Sequence, residues 1–389
     1  MRAAASPDAV AERARRATAV VFAVNAVAFG TWVPRVPDVA DRLDLSPGQL
    51  GVALLGVAVG GLPVSRATGP LVARLGSRRV TLLGAAALVS WVLAGAAPSQ
   101  LALLGALVLA GASDAVCDVA MNAHGSTVQR RLGRPVMSGL HGWWSGGAVL
   151  GGLVGSAAAA AAVPVVAHLA LVAAACAPAV LWAGRHLLPA DADRADASSP
   201  TVTRASGPLA GVALLVLLGA VVEIAPADWA ALWLRRDLGA SPGVAGLAFT
   251  GFVAAMTVAR LLGDRVVARL GATRTLQASG VFCAATSGAA LVVGQTWPSL
   301  VLLALAGAGA ALTFPVAFSA SGDSPGLSPG AGVAFVGLVA RVGGLVQPLL
   351  VGGVAERAGL AVGLGAVPVA SLLVAVLAAP ALRRAARRT

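Results

Sequence analysis

The sequence contains 389 residues, of which 58% are hydrophobic and only 11% are charged, and its mean hydropathy is +0.86. Soluble domains carry about 25% charged residues, so this composition excludes a soluble protein and predicts a protein embedded in a membrane along nearly its whole length. The net charge of +12 comes from 28 basic residues, all of them arginine, scattered in short loops and at both ends, which argues against nucleic-acid binding.

The chain begins with an arginine-rich stretch before an apolar run, as a signal peptide does. Arg13, Arg15 and Arg16 precede the run, which continues through Trp32 without a clear small-residue cleavage site. Many similar runs follow, so we interpret this one as a first membrane span that is retained.

Apolar segments of roughly 20 residues, the length that a helix needs to cross a bilayer, recur along the chain. They predict an all-α membrane protein with twelve transmembrane helices. The predicted spans are 17–37, 48–70, 79–97, 99–123, 137–160, 163–186, 208–234, 243–266, 275–294, 298–320, 330–354 and 360–382.

Arginines flank these spans unevenly. With the N-terminus inside, the inner loops and ends hold 20 arginines and the outer loops hold 5. Cytoplasmic loops are the ones enriched in arginine, so we expect both termini in the cytoplasm. The remaining arginines, Arg66, Arg260 and Arg341, fall within predicted spans.

The longest polar stretch, 188–207, divides the chain near its middle and is predicted to be a cytoplasmic linker between two six-helix halves, 1–187 and 208–389. The halves also repeat. Ser46-Pro47-Gly48-x-x-Gly51-x-Ala53 returns as Ser241-Pro242-Gly243-x-x-Gly246-x-Ala248, and Val72-Ala73-Arg74-Leu75-Gly76 returns as Val267-Ala268-Arg269-Leu270-Gly271, both 195 residues later. Two matches at one offset indicate duplicated halves of the same orientation, related by an axis along the membrane normal.

No signature of a cofactor or a metal is found. Cys117, Cys176 and Cys283 lie in separate apolar segments without paired spacing or a nearby histidine cluster, which is typical of small core residues. Because the chain has no lysine, a Walker-type nucleotide loop is excluded.

Together these features resemble the major facilitator superfamily of secondary transporters over essentially the full length. The loop after the second span, which the family writes G-x-L-A-D-R-x-G-R-R, here runs from Gly69 to Arg79. The resemblance implies a conformational gate that includes Gly69, Arg74, Gly76 and Arg78. The family's aspartate is replaced by Ala73, which leaves its salt bridge in doubt, and Asp264-Arg265 in the second half offers a carboxylate there instead.

A narrower resemblance points to a bacterial subgroup related to fucose-type sugar permeases. It rests on Asp118-Val119-Ala120-Met121-Asn122 and on Glu223 followed by Asp228-Trp229. It implies a monomer in the bacterial inner membrane, surrounded by lipid, without fixing the substrate. The glycine-rich stretch Gly142–Gly152 is similar to a motif of exporters but lacks its Gly-Pro pair, and we interpret it as close helix packing.

In the first half, polar side chains stand on one face of the fourth span. Asp114, Asp118 and Asn122 follow each other at intervals of four residues. A carboxylate in a membrane span is costly and indicates a proton or substrate site; the alternative is a structural hydrogen bond or a pair with an arginine. Asn25 in the first span is a candidate donor to a substrate hydroxyl.

In the second half, the candidates are Glu223, Asp228, Arg341 and Gln347. Glu223 lies near the middle of the seventh span, and Arg341 in the eleventh must face a cavity, a carboxylate or an anionic substrate group. Asp228 is equally consistent with an outer gate or helix end. Pro348, next to Gln347, could break its helix. We expect the Asp118 face to look into a cavity opposite Glu223 and Arg341.

These residues favour a proton-coupled secondary transporter of a small hydrophilic solute. The alternative is an exporter of drugs or other amphipathic compounds, which the 16 aromatic residues (8 Trp, 8 Phe) weakly disfavour. An intramembrane aspartyl hydrolase needs two facing carboxylates, whereas Asp114 and Asp118 share one helix, so we do not expect an enzyme. His141, Trp143 and Trp144 are typical of a membrane interface, with a place along the transport pathway as the alternative. His124 and His168 carry no signal.

Overall fold

The computed structural model describes residues 7–189, 209–322 and 329–386, and this part of the chain contains helices and no strands. Nearly all of the predicted linker 188–207 lies outside the described residues, so the boundary between the halves remains a prediction. The α-helices, numbered α1 to α16 in chain order, are Pro7–Trp32, Val36–Arg42, Pro47–Leu75, Ser77–Ala87, Ser90–Ala96, Gln100–Leu132, Met137–Ala160, Val165–His186, Ala210–Arg236, Pro242–Leu270, Ala272–Val293, Thr296–Ala310, Thr313–Gly322, Pro329–Ala358, Leu360–Leu364 and Ala366–Ala386.

The prediction of a twelve-span, all-α membrane protein is confirmed. Among the described residues, eleven helical segments are long and apolar enough to cross a membrane, and the 24-residue helix α7 supplies the twelfth. Several helices are longer than the predicted spans. The fourth, α6, continues to Leu132 and ends there because Gly133 adopts a left-handed conformation (φ 62°).

Two compact units divide the chain, residues 1–39 with 53–199 and residues 40–52 with 200–389. The segment 40–52 follows the first span and was expected to belong with the first half. Its contacts instead group it with the second unit, so the helix α3 has its first six residues in one unit and the rest in the other.

The backbone repeats where the sequence repeats. Gly76 (φ 82°, ψ 147°) and Gly271 (φ 76°, ψ 156°) precede the third and ninth spans in a conformation that is essentially restricted to glycine. Asp44 (φ 50°) and Gly239 (φ 66°), also 195 residues apart, are both left-handed. The duplicated loops therefore share their backbone conformation as well as their residues.

In the first unit, the glycine-rich helix α7 packs closely against α1. A Cβ atom at Gly147 would lie 2.4 Å from the carbonyl oxygen of Ala23, and one at Gly151 would lie 2.6 Å from that of Val27. A Cβ atom at Gly30 on α1 would likewise lie 2.6 Å from the carbonyl oxygen of Ala148. This is the packing that the glycine-rich stretch predicts.

Two further glycine contacts hold the second span against the fourth and the eighth against the tenth. A Cβ atom at Gly111 of α6 would lie 2.0 Å from the carbonyl oxygen of Val57, and one at Gly307 of α12 would lie 2.1 Å from that of Phe252. Val57 and Phe252 are separated by the repeat offset of 195 residues. The same close contact therefore occurs in each unit.

The third and tenth spans are each broken into two helices. Between α4 and α5 the hydrogen bonding tightens, with the amide groups of Leu88 and Val89 bonded to carbonyls three residues earlier. Between α12 and α13 the break falls at Ala311 and Leu312, just before Pro315. Pro348 does not break its span, contrary to our expectation: α14 is continuous, because a proline is tolerated in a membrane helix when neighbouring groups satisfy the freed backbone.

The segment 40–52 is held within the second unit by charged groups. Asp41 accepts hydrogen bonds from Arg235 and Arg236, at 3.0 Å and 2.9 Å. Ser46 and Gln49 form a reciprocal cap at the start of α3, at 3.0 Å and 3.2 Å. Glu356 of α14 adds a further acceptor for the Gly48 amide at 2.8 Å. The first turn of α3 thus has acceptors for its free amide groups.

Candidate functional site

In the first unit, Asp114 of α6 belongs to a chain of hydrogen bonds that joins three helices. The side-chain amide of Asn25 on α1 donates to Asp114 at 2.8 Å, and the indole N–H of Trp144 on α7 donates to the Asn25 oxygen at 2.9 Å. Asn25 is 2% exposed. Because an indole can only donate, Trp144 sets the orientation of the Asn25 amide and directs its NH2 group to Asp114.

The second carboxylate of α6, Asp118, has a partner on its own helix. The Asn122 amide donates to the Asp118 carboxylate at 3.0 Å and to the Asp118 backbone carbonyl at 2.9 Å. Asp114, Asp118 and Asn122 are all half-buried and share one face, as the spacing predicts. The two carboxylates therefore differ in these contacts: Asp118 bonds to a residue of its own helix, and Asp114 bonds to a residue of α1.

In the second unit, Glu223 of α9 forms an ion pair with Arg260 of α10. One terminal nitrogen of Arg260 lies 2.9 Å and 2.8 Å from the two oxygens of Glu223. The Nε–H group of Arg260 donates to the carbonyl oxygen of Ala311, at the break between α12 and α13, at 3.2 Å. A membrane-embedded acid, a base and a helix break thus meet at one place.

Arg341 does not have the carboxylate partner considered for it. Its side chain on α14 is exposed and makes no hydrogen bond or ion pair with any described residue. Spacing along a span fixes depth, whereas the partner depends on the rotation of each helix about its axis. In this structure the arginine that pairs with Glu223 is Arg260 of the neighbouring helix α10, and not Arg341.

Asp228 and Gln347 remain without hydrogen bonds inside the described part of the second unit. Asp228 is half-buried on α9. Gln347 on α14 has no exposed surface, and neither its amide nitrogen nor its oxygen has a partner there. The indole nitrogen of Trp229, beside Asp228, is also buried without a partner. Buried polar groups are normally paired, so each of these unpaired groups is an exception within the described residues.

The gating residues implied by the family resemblance differ in how far they are exposed to solvent. Gly76 ends the loop after α3, while Arg74 is exposed and Gly69 and Arg78 are half-buried. Asp264 and Arg265 are exposed on α10, and Asp264 forms no ion pair with the described residues, so its proposed compensation for Ala73 is not seen in this conformation.

His124, to which the sequence analysis assigned no role, contacts the start of α4, directly after the loop that ends at Gly76. It is 1% exposed and hydrogen-bonds Ser77 at 2.7 Å and the amide of Leu188 at 3.1 Å. The Leu188 amide is a donor, so the Nε2 atom of His124 accepts and the Nδ1 atom carries the hydrogen toward Ser77. His124 therefore links α4, α6 and the end of the sixth span.

A second buried network contains His168. Arg35 donates to His168 at 3.2 Å, to the carbonyl of Val163 at 2.7 Å and to Asp38, and the other ring nitrogen of His168 lies 2.9 Å from Thr31. Arg35 was assigned to an outer loop, yet its side chain is 3% exposed. Several acceptors on neighbouring segments explain how a buried guanidinium is tolerated.

Sequence reasoning missed two residues of the polar clusters, Trp144 and Arg260. Trp144 was interpreted first as an interface residue, with a place along the pathway as the alternative, and no local pattern pointed to its contact with Asn25. Arg260 was visible as an arginine within a span, a signal that applied equally to Arg341. No group of three or more His, Cys, Asp or Glu side chains that could hold a metal ion is found within the described ranges.

The chain is similar to known membrane transporters in sequence. The family model of the Major Facilitator Superfamily matches residues 214–389. An uncharacterized transporter, y4wD, of Sinorhizobium fredii is 34% identical over 374 residues, covering 93% of this chain and 97% of the relative. An uncharacterized MFS-type transporter of Yersinia pestis is 30% identical over 369 residues, covering 93% and 94%.

Solved structures share the fold at low sequence identity. The nucleoside transporter NupG covers 96% of this chain and 99% of its own, with a TM-score of 0.71 and 15% identity. A D-xylose-proton symporter covers 93% and 96% (TM-score 0.72, 14% identity). The Escherichia coli fucose:proton symporter FucP, as its N162A variant, covers 96% and 98% (TM-score 0.62, 18% identity).

Proposed function

Because this chain belongs to the major facilitator superfamily of membrane transporters, we propose that it moves a small hydrophilic solute by alternating access and couples this movement to protons. The observation that carries the proposal is that carboxylates occur within the spans of both units, each held by a hydrogen-bond donor. Asp114 and Asp118 are bonded to amides, and Glu223 is bonded to Arg260. Ionisable groups are expensive in a membrane and are typical of proton relays there.

The polar groups suit an uncharged solute that carries hydroxyl groups. In the first unit, the amides of Asn25 and Asn122 can donate and accept hydrogen bonds, and the indole of Trp144 gives a flat apolar face beside Asn25. In the second unit, the amide of Gln347 has the same capacity. Sugar and nucleoside transporters among the structural neighbours are consistent with this class of solute. We place both termini in the cytoplasm because of the arginine bias of the loops. A monomer in the bacterial inner membrane is the further part of the proposal, in keeping with bacterial relatives.

The proposal is tested with purified protein in liposomes that enclose a pH-sensitive dye. Radiolabelled D-xylose, L-fucose and uridine are supplied with and without an inward proton gradient. We expect gradient-driven accumulation of at least one of them, accompanied by proton entry. Asp118→Asn and Glu223→Gln should abolish the coupling and leave downhill exchange measurable.

Asp8→Asn is the matched control, because Asp8 is exposed in the first turn of α1. It should behave as the unchanged protein does. If both membrane-embedded substitutions left accumulation and proton entry intact, proton coupling through these carboxylates would be wrong.

A further inference from the structure

The break in the tenth span is the starting point. In an α-helix, the carbonyl of residue i accepts from the amide of residue i+4. For Ala311 that residue is Pro315, which has no amide hydrogen. The next carbonyl, Leu312, does have its normal partner, the amide of Val316, at 3.1 Å. Pro315 therefore deprives the Ala311 carbonyl of its helix hydrogen bond.

Arg260 supplies the hydrogen bond that the Ala311 carbonyl lacks. Its Nε–H group donates to the Ala311 carbonyl at 3.2 Å, while its terminal nitrogen holds both oxygens of Glu223. The guanidinium is planar and rigid, so fixing one edge on the carbonyl fixes the direction in which the other edge points. The carbonyl thereby aims Arg260 at Glu223.

The surrounding helices are close enough to transmit movement of the break. A Cβ atom at Gly219, one turn before Glu223, would lie 2.9 Å from the Cγ2 atom of Thr313 at the start of α13. A Cβ atom at Gly263, nearly one turn after Arg260, would lie 2.6 Å from the side chain of Leu312. Leu312 of the break and Thr313 at the start of α13 thus pack against the helices that carry the ion pair.

We propose that Pro315 is a positioning residue for Glu223: it frees the Ala311 carbonyl, the carbonyl orients Arg260, and Arg260 occupies the Glu223 carboxylate. The role of Glu223 in transport rests on the proposed function above. A shift of α13 relative to α12 removes the carbonyl from Arg260 and so releases Glu223 for a proton or a solute. The tenth span, which contributes no acidic or basic side chain among its described residues, thereby controls the membrane carboxylate of the second unit.

The experiment measures whether Glu223 is occupied, without any solute or gradient. Dicyclohexylcarbodiimide, an apolar reagent that modifies carboxyl groups within membranes, is added to the full-length protein in detergent. Trypsin cleaves only after arginine here, and the peptide 205–235 carries Glu223 and Asp228. Fragment ions distinguish the two adducts, so Asp228 serves as an internal reference for access of the reagent.

We expect little modification of Glu223 in the unchanged protein. Arg260→Gln should increase it at least fivefold, and Arg260→Lys should increase it less, because an ammonium keeps one contact with the carboxylate. Pro315→Ala supplies the missing amide hydrogen, so the Ala311 carbonyl returns to its helix bond and modification of Glu223 should rise about threefold. The adduct at Asp228 should stay constant throughout.

Pro178→Ala is the control, since Pro178 also lies inside a membrane helix, α8, in the first unit. It should leave Glu223 as unreactive as before. Equal modification in Pro315→Ala and Pro178→Ala overturns the positioning role of Pro315, and this comparison decides the matter even if Arg260→Gln does not fold. Unchanged modification in Arg260→Gln overturns the role of the ion pair. A failure of transport to depend on protons, with the labelling pattern as expected, overturns the proposed function alone.

Discussion

Asp41 and Arg236 occupy the same position of the duplicated sequence, 195 residues apart, and they form an ion pair with an oxygen–nitrogen distance of 2.9 Å. The two copies read Asp41-Arg42 and Arg236-Asp237, so the order of the charges is inverted between them. Had both copies kept aspartate, two carboxylates would face each other. The inversion turns a contact between equivalent positions into an attractive one.

Asp41→Asn should loosen the segment 40–52. An exposed ion pair contributes up to about 1 kcal/mol, and Asp41 has two arginine partners, Arg235 and Arg236. We expect the amides of residues 40–52 to exchange hydrogen about threefold to tenfold faster, measured by mass spectrometry of that peptide. Asp44→Asn is the control, because asparagine tolerates the left-handed conformation of Asp44. Equal exchange in the two variants would show that the ion pairs do not hold the segment.

Trp144→Phe should weaken the cluster around Asp114. Phenylalanine keeps an aromatic ring but removes the N–H donor, which leaves the buried oxygen of Asn25 without its partner at a cost of about 1–3 kcal/mol. We expect a melting temperature in detergent several degrees lower and slower solute uptake. Trp143→Phe, on the same helix with its ring 57% exposed, should change neither quantity. Identical melting temperatures for the two variants would rule out a role for the indole hydrogen bond.

Gly111→Ala should destabilise the protein through overpacking. The added methyl group would lie 2.0 Å from the Val57 carbonyl, so α3 and α6 must separate. Overpacking costs about 1–3 kcal/mol, and we expect the melting temperature to fall by about 5 °C. Gly105→Ala provides a control on the same helix, because a Cβ atom at Gly105 meets nothing within 4 Å. A melting temperature of Gly111→Ala equal to that of Gly105→Ala would contradict the close contact.

The sequence was sufficient to predict the spans, because apolar length and arginine placement depend on the bilayer rather than on tertiary contacts. It also predicted the repeat, which the matching backbone of Gly76 and Gly271 supports. The predicted ends were too early at α6, since the helix continues beyond the apolar run until Gly133 stops it.

The partners within the polar clusters could not be predicted in the same way. A membrane helix that is apolar on all sides offers no polar face by which to judge its rotation, so depth alone could not show that Glu223 pairs with Arg260 rather than Arg341. The Asp118–Asn122 contact was predictable because both residues share one helix. Asn25 and Trp144 meet across two helices, and no local pattern encodes that contact.

The buried amide of Gln347 carries a consequence for how this chain evolves. An amide with no exposed surface and no partner among the described residues costs folding free energy that leucine or methionine would not. A chain under selection for stability alone would lose it, because most replacements there remove a penalty rather than a contact. On the proposed function, we expect that stability was exchanged for recognition at this point of α14, so that a change of residue at Gln347 should alter the preferred solute before it alters the fold.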